Sequence, residues 1–422
     1  MYQTSHLPNG MTVASAQMPH MNSVAVGIWV ATGGRYEAAE DNGAAHFIEH
    51  MLFKGTRKRS AAQISQAVEG IGGYINAFTS EEATCFYARA SHDKLDELVD
   101  VLADMFLHSK FDSVELEKER QVIKEEVAMY QDQPQQHVQE LLSALCWPDQ
   151  PLGRPLTGTL QGLDGLTQAR LLSYYRQNYV SGSTLVTASG RVDHEGLVKS
   201  LGRLASKIPS GARRTPVAAD PAQVRPRSIL CTKEVEQTQM ALGIRTCSRH
   251  DDRRFALRLL NTILGENMSS RLFQTVREER GLAYSIYSAT SSFDDAGMLN
   301  ISAGLDAERL AEVMKVVKAQ LRLLTEKAPT SSELRRARDY VIGQMDLSLE
   351  GTESQMNWVG ETLLGYGRVL DPSEAKSRML SVTAAEIRGV AREFFRPERM
   401  NLAVVGPRKD SRAVQKLVES PL

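Results

Sequence analysis

Histidine is scarce in this chain, nine among 422 residues, and two of the nine stand four apart in His46-Phe47-Ile48-Glu49-His50. On a helix the two imidazoles point within about 40° of one another, and Glu49 projects about 60° to the other side of His46. Two neutral imidazoles at that spacing can share one metal ion, and zinc is the usual occupant of such a pair. The carboxylate beside them stands where a general base for a metal-activated water is needed. With glutamate next to the second histidine, the order is the inverse of the commoner His-Glu-x-x-His. Cysteine offers no rival site. Cys85, Cys146, Cys231 and Cys247 form no Cys-x-x-Cys pair, so histidine and carboxylate must hold any metal.

A helix must present these groups, and the residues around them are suited to one. Asp41 or Asn42 can cap its start and Gly55 suits its stop. Phe47, Ile48, Met51 and Leu52 form the apolar stripe that would hold it on a core. Before it, β-branched and alternating stretches at 11–15 and 23–30 predict two strands; after it come a helix at 61–68 and strands at 74–79 and 83–88. Helices follow over 95–107 and 112–133, the second opened by Asp112-x-x-Glu115 and stopped by Pro134. Its apolar face is Leu116, Ile123, Val127 and Tyr130. Glu119 and Glu126, seven apart, lie on one line at the edge of that face, while Glu125 points about 100° away. Helices at 139–145 and 167–178 and a strand at 183–190 complete this half.

Near the middle, between residues 206 and 227, periodicity gives way to Pro209, Gly211, Pro216, Pro221 and Pro226. Beyond it the order resumes: a strand at 240–245, a helix at 253–264, strands at 284–292 and 299–303, then helices. Residues 166–190 lie on 382–406 at a constant offset of 216 (382 − 166; 406 − 190) without gaps. Both copies read as helix, aromatic residue (Tyr179, Phe395), apolar strand, glycine. The expected architecture is α+β: two topologically similar domains, each a sheet packed with helices, in a clamshell-like pair. The expected boundaries are 1–207, a linker over 208–228, and 229–422.

The overall balance excludes several classes. Fifty basic against 51 acidic residues leave a net charge of −1, so no field favours nucleic acid or an acidic membrane. No apolar run approaches the length of a membrane span, and the first ten residues lack the pattern of a signal peptide. With unpaired cysteines as well, a cytoplasmic protein is expected.

With these residues in view, the chain resembles the pitrilysin-type (insulinase-like) zinc peptidases, in the short form that includes the mitochondrial processing peptidase β subunit and bacterial relatives. The resemblance runs over nearly the whole chain. It is carried by Asn42-Gly43 through Gly55-Thr56, by the run from Glu119 to Glu126, and by Ser269-Ser270-Arg271-Leu272-Phe273 with Arg277 through Ser285. It implies a third ligand, a glutamate 76 positions after the second histidine, which is Glu126 (126 − 50). Glu119 then matches the glutamate that supports a ligand from behind. Arg277 and Tyr284 match an arginine and a tyrosine, seven apart, that steady the reaction's oxyanion. Asn76, Ala77, Phe78 and Thr79 match the edge strand to which substrate adds, main chain to main chain.

One zinc per chain, a peptide substrate, and a homodimer or a pairing with a paralogous subunit are likewise what the resemblance implies. Ala44-Ala45 and Gly265-Glu266-Asn267 depart from the usual residues of those motifs. The absence of a long glycine-rich insertion before Met268 speaks against the non-catalytic α subunit. Two other readings are a structural or assembly subunit without turnover and a peptide-binding module. The presence of His46, Glu49, His50, Glu126, Arg277 and Tyr284 together favours the endopeptidase.

Overall fold

A computed structural model describes residues 2–422. Its strands are β1 (Tyr2–His6), β2 (Thr12–Gln17), β3 (Ser23–Val30), β4 (Tyr74–Thr79), β5 (Thr84–Ser91) and β6 (Thr184–Gly190). They continue with β7 (Arg227–Thr232), β8 (Thr238–Thr246), β9 (Ala283–Ser292), β10 (Gly297–Leu305) and β11 (Met400–Gly406). The first helices are α1 (Ala44–Leu52), α2 (Ala61–Glu69), α3 (Leu95–His108), α4 (Ser113–Asp132), α5 (Pro134–Cys146), α6 (Leu160–Gly165), α7 (Gln168–Asn178) and α8 (His194–Ala205). After them come α9 (Arg253–Asn261), α10 (Leu310–Glu326), α11 (Ser331–Ser348), α12 (Thr352–Tyr366), α13 (Pro372–Ser381), α14 (Ala384–Phe394) and α15 (Ser411–Glu419). Among the described residues no helix is long and apolar enough to cross a membrane.

The chain forms two compact α+β units. The first comprises Met1–Val127, Arg154–Val217 and Asp346–Leu370. Its sheet runs β1-β2-β6-β3-β5-β4, antiparallel except where β2 and β6 run parallel. One face packs α1, α3, α7 and α8 into a core that includes Val26, Ile28, Phe47, Ile48, Phe86, Leu102 and Tyr179. The other face is covered by α12, whose Met356, Val359 and Leu363 meet Trp29, Cys85 and Leu185. That helix comes close because Gly360 lacks a Cβ, which would stand 2.2 Å from a ring atom of Trp29. Trp29 is fully buried and gives its ring N–H to Thr187 (2.8 Å).

The second unit comprises Ala128–Gly153, Ala218–Met345 and Asp371–Leu422. Its sheet runs β7-β11-β8-β10-β9, again with one parallel pair, β7 and β11. Helices α9, α10, α14 and α15 share a core on one face; α5 covers the other with Val138, Leu142 and Cys146 against Ala241, Ala403 and Val405.

The division therefore differs from two linear halves meeting in a linker. One of the places where the chain passes from the first unit to the second lies between Val217 and Ala218. Residues 128–153 and 346–370, however, each belong with the sheet of the other half. The physical reason is that both sheets are apolar on both faces, and the second cover of each is supplied from across the linker.

The repeat is reproduced residue for residue. Helix α7 plus 216 gives α14 (168 + 216 = 384; 178 + 216 = 394), and β6 plus 216 gives β11 (184 + 216 = 400; 190 + 216 = 406). Thr167 and Thr383 cap the two helices with their hydroxyls, and Tyr179 and Phe395 end them at nearly the same ψ, 65° and 66°. The largest shifts from the expected boundaries are at α5 and α9. Helix α5 begins at Pro134, a residue preset for the first helical turn, so it starts five positions before 139. Helix α9 stops at Asn261 and continues as a π-helical turn over Thr262–Glu266.

Candidate active site

Helix α1 carries both histidines and is held at each end by a buried carboxylate. Neither Asp41 nor Asn42 caps it with a side chain. Gly43 takes the cap position at φ +93°, a left-handed conformation that glycine enters without strain. The acceptor comes from further back. Glu37, 2% exposed, accepts the N–H groups of Gly43 and Ala45 (2.8 Å each) and the side-chain amide of Asn42 (3.1 Å). A carboxylate there also meets the positive end of the helix dipole. Burial pushes the Glu37 carboxyl up to about 7, against the pull of those donors.

Past the other end, Thr56 donates to Asp104 (2.6 Å), Arg59 donates to the same oxygen (2.8 Å), and His108 Nδ1 bonds the second oxygen (3.1 Å). Burial pushes the Asp104 carboxyl up, but these bonds more than offset it and hold it below the usual carboxylate range. Between its two anchors α1 buries Phe47, Ile48, Met51 and Leu52 completely, so its other side, with His46, Glu49 and His50, is presented in one fixed orientation.

Helix α4 brings the glutamates to that side. Leu116, Ile123 and Val127 bury its apolar face, and the Arg120 guanidinium, itself buried, lies 5.5 Å over the Phe47 ring while donating to the carbonyls of Leu163 and Leu166. Glu126 Oε2 then lies 3.6 Å from His46 Nε2 and 3.7 Å from His50 Nε2. The three ligand atoms fall within 4.8 Å of one another. Such gaps are long for hydrogen bonds. They approach the spacing of about 3.4 Å between neighbouring ligands around a tetrahedral zinc with bonds near 2.1 Å.

The donor set suits zinc: two imidazoles and one carboxylate are three protein ligands, one short of the four that zinc usually takes. Burial first, and His50 second, lower the His46 imidazolium to about pKa 4, with Glu126 opposing, so the ring is neutral near pH 7. Its Nδ1 is buried with no hydrogen-bond partner.

Glu119 stands behind His50, 3.1 Å from its Nδ1, and its other oxygen receives Lys54 Nζ at 2.6 Å. An ionised carboxylate only accepts, so Nδ1 carries the proton and Nε2 turns its lone pair toward Glu126. Glu49 has one hydrogen bond, received from the Thr79 hydroxyl at 2.5 Å. Burial raises the Glu49 carboxyl above its ordinary value; Thr79 and His50 pull it down, and Glu126 adds to the rise.

Thr79 ends β4, which pairs with β5 on one side and is the sheet's edge on the other. Ile75 and Ala77 pack on the same core as α1, whereas Asn76 bonds Tyr74 and its own neighbour's N–H, and Phe78 stacks edge-on against Trp29.

Arg277 and Tyr284 belong to the second unit. Arg277 lies in the π-helical segment Phe273–Glu278 with its guanidinium 4.7 Å over the Phe273 ring. Tyr284, the second residue of the edge strand β9, stands at a bulge: Ser285 pairs with Gly304 and Ala283 with Leu305, so Tyr284 opposes no residue and is 74% exposed. Bulges of this kind re-aim a side chain out of the sheet.

Three contributions were not singled out from sequence. Lys54 had a signal, one helical turn beyond His50 and on its face. The Thr79 hydroxyl was hidden behind a reading of β4 as main chain only. Glu37 had none, since a helix anchor seven residues before the helix matches no local capping pattern.

Comparison with known proteins places the chain among peptidases. The profile described as insulinase (Peptidase family M16) matches residues 12–160, and that of the Peptidase M16 inactive domain matches 165–341. A protein of Streptomyces coelicolor named as an uncharacterized zinc protease is 39% identical over 416 residues, 96% of this chain and 90% of that one. The uncharacterized zinc protease YmxG of Bacillus subtilis is 37% identical, covering 94% and 97%. In fold, a protease from Helicobacter pylori superposes with a TM-score of 0.91 at 22% identity over 96% of this chain and 99% of that one.

Proposed function

The chain belongs to the insulinase family of peptidases, M16, and from the site it carries we propose that it is a zinc-dependent endopeptidase of the cytoplasm, acting on peptides or extended segments of unfolded protein. The observation that carries this reading is the convergence of His46 Nε2, His50 Nε2 and Glu126 Oε2 beside the carboxylate of Glu49. Zinc held by those three atoms would supply Lewis-acid chemistry, acidifying a water and polarising a peptide carbonyl.

The chain's own groups do the rest. Glu49 takes a proton from the attacking water and, being raised above an ordinary carboxylate, is suited to pass it to the leaving amine. Glu119 and Lys54 fix the tautomer and angle of His50. The free edge of β4 offers main-chain hydrogen bonds to an extended peptide, a mode that reads backbone more than side chains. By resemblance, Arg277 and Tyr284 donate to the oxyanion. We place them there from a second copy of the chain, in a homodimer with one zinc per chain.

Incubating the purified protein with a mixed peptide library, with and without a chelator, tests the reading. Cleavage that the chelator abolishes and zinc restores is expected, with about one tightly held zinc per chain. A chain that keeps zinc through purification and cleaves nothing would instead be a binding or assembly subunit.

A further inference from the structure

We propose that Thr79 is a positioning residue for the base: its hydroxyl fixes the Glu49 carboxylate relative to the strand edge on which a peptide would lie. The inference rests on the endopeptidase reading and goes beyond it, because the Thr79 side chain, and not the strand's main chain, is given a role.

Glu49 sits on α1 and receives one hydrogen bond, from Thr79 Oγ1 to Oε2 at 2.5 Å. That length lies at the short end for a hydroxyl donating to an ionised carboxylate. A glutamate has three rotatable bonds, and the last of them has a broad preference. With Oε2 tied, the carboxylate plane is set and Oε1 is the oxygen left for the water. Thr79 is itself well placed to act as a fixed point. It is β-branched and so has few rotamers, and it pairs with the fully buried Thr84, whose hydroxyl bonds the Thr32 carbonyl.

The two other residues on its face of β4, Ile75 and Ala77, are apolar and pack on the core. Thr79 is where that face turns polar, at the point where it meets Glu49. The strand that would hold the substrate and the carboxylate that would deprotonate the water are thus joined through one hydroxyl, so register along β4 and aim of the base are set together.

Valine at 79 keeps the shape and strand preference of threonine and removes only the donor; serine keeps the donor. Steady-state hydrolysis of an extended, quenched peptide is measured for wild type, Thr79→Val, Thr79→Ser and Glu49→Gln, with zinc content for each. A second pair, Glu49→Gln with and without Thr79→Val, is titrated with the same peptide for binding.

For Thr79→Val we expect kcat to fall about ten- to a hundredfold, as misaimed catalytic groups do, with KM and zinc content within twofold of wild type. Thr79→Ser is expected within about threefold of wild-type kcat, and the two Glu49→Gln chains are expected to bind peptide equally. A loss confined to KM, a loss of zinc, or a failure of serine to rescue would overturn the positioning role. If Glu49→Gln falls and Thr79→Val does not, this inference fails while the endopeptidase reading stands. If wild type cleaves nothing, or Glu49→Gln cleaves as well as wild type, both fail.

Discussion

Zinc affinity is expected to depend on Lys54 and Glu119 as one device. Glu119 is 4% exposed and divides its two oxygens between His50 Nδ1 (3.1 Å) and Lys54 Nζ (2.6 Å). In Glu119→Gln the one remaining oxygen can still receive the His50 proton, but the amide NH2 then faces Lys54, donor against donor. Partners of this kind are worth about ten- to a hundredfold in metal affinity, or about 1.4–2.7 kcal/mol. Lys54→Met alone leaves a buried carboxylate whose one remaining partner is His50, and about a tenfold loss is expected.

The informative chain is the double variant. With Lys54 gone the donor clash is gone, so Glu119→Gln should cost little more. The combined loss should stay near ten- to a hundredfold, where independent effects would multiply to about a hundred- to a thousandfold. Competition for zinc against a chromophoric chelator at neutral pH reads this directly. Losses that multiply, or a Glu119→Gln chain within threefold of wild type, would refute the account of Glu119 as a bridge that aims His50.

The other expectations separate roles within the site and around it. Glu49→Gln should keep zinc and lose at least about a hundredfold in hydrolysis, whereas His46→Ala, His50→Ala or Glu126→Ala should lose the metal; the reverse pattern in metal analysis would exchange base and ligand. If Arg277 and Tyr284 come from a second copy, mixing Glu49→Gln with Tyr284→Phe chains under exchange should restore roughly a quarter of wild-type activity, since about half the chains pair as hybrids with one working site each. No recovery despite demonstrated exchange would favour an arrangement within one chain. Asp104 is held below the ordinary carboxylate range in the folded state, so its stabilisation is present above about pH 4 and is lost as pH falls further. Thermal unfolding of Asp104→Asn should show a deficit of about 3 kcal/mol near pH 7 that shrinks near pH 3, and a deficit independent of pH would point to packing instead.

What could be read from sequence was whatever is local or periodic. The spacing of His46, Glu49 and His50 is a property of one helix, and the four buried apolar residues behind them repeat at helical intervals. The offset of 216 survived because helix, turn and strand kept their lengths in both copies, down to the threonine caps. Glu126 and Glu119 could be put on one line of one helix, but which atoms of the histidines each one meets is a matter of how α4 packs on α1, where the Arg120 guanidinium lies over Phe47. Glu37 was hidden for a related reason. Asp41 and Asn42 are good local caps, yet a buried carboxylate that gathers three donors at once can displace them, and burial cannot be read from residue type.

The exchange of α5 and α12 marks the limit of periodicity more sharply. Val138, Leu142 and Cys146 recur every fourth residue, and Met356, Val359 and Leu363 at three and four, so each helix declares an apolar face. A pattern of that kind reports that a face is covered and says nothing of which sheet covers it. The strands hold the missing information. Along β3 every residue from Val24 to Val30 is buried, and along β11 every residue is, Asn401 included, so burial in each is unbroken instead of alternating. Strands buried on both faces need helices on both faces. The second face of each sheet is met by a helix from the other side of the linker, α12 on the first sheet and α5 on the second.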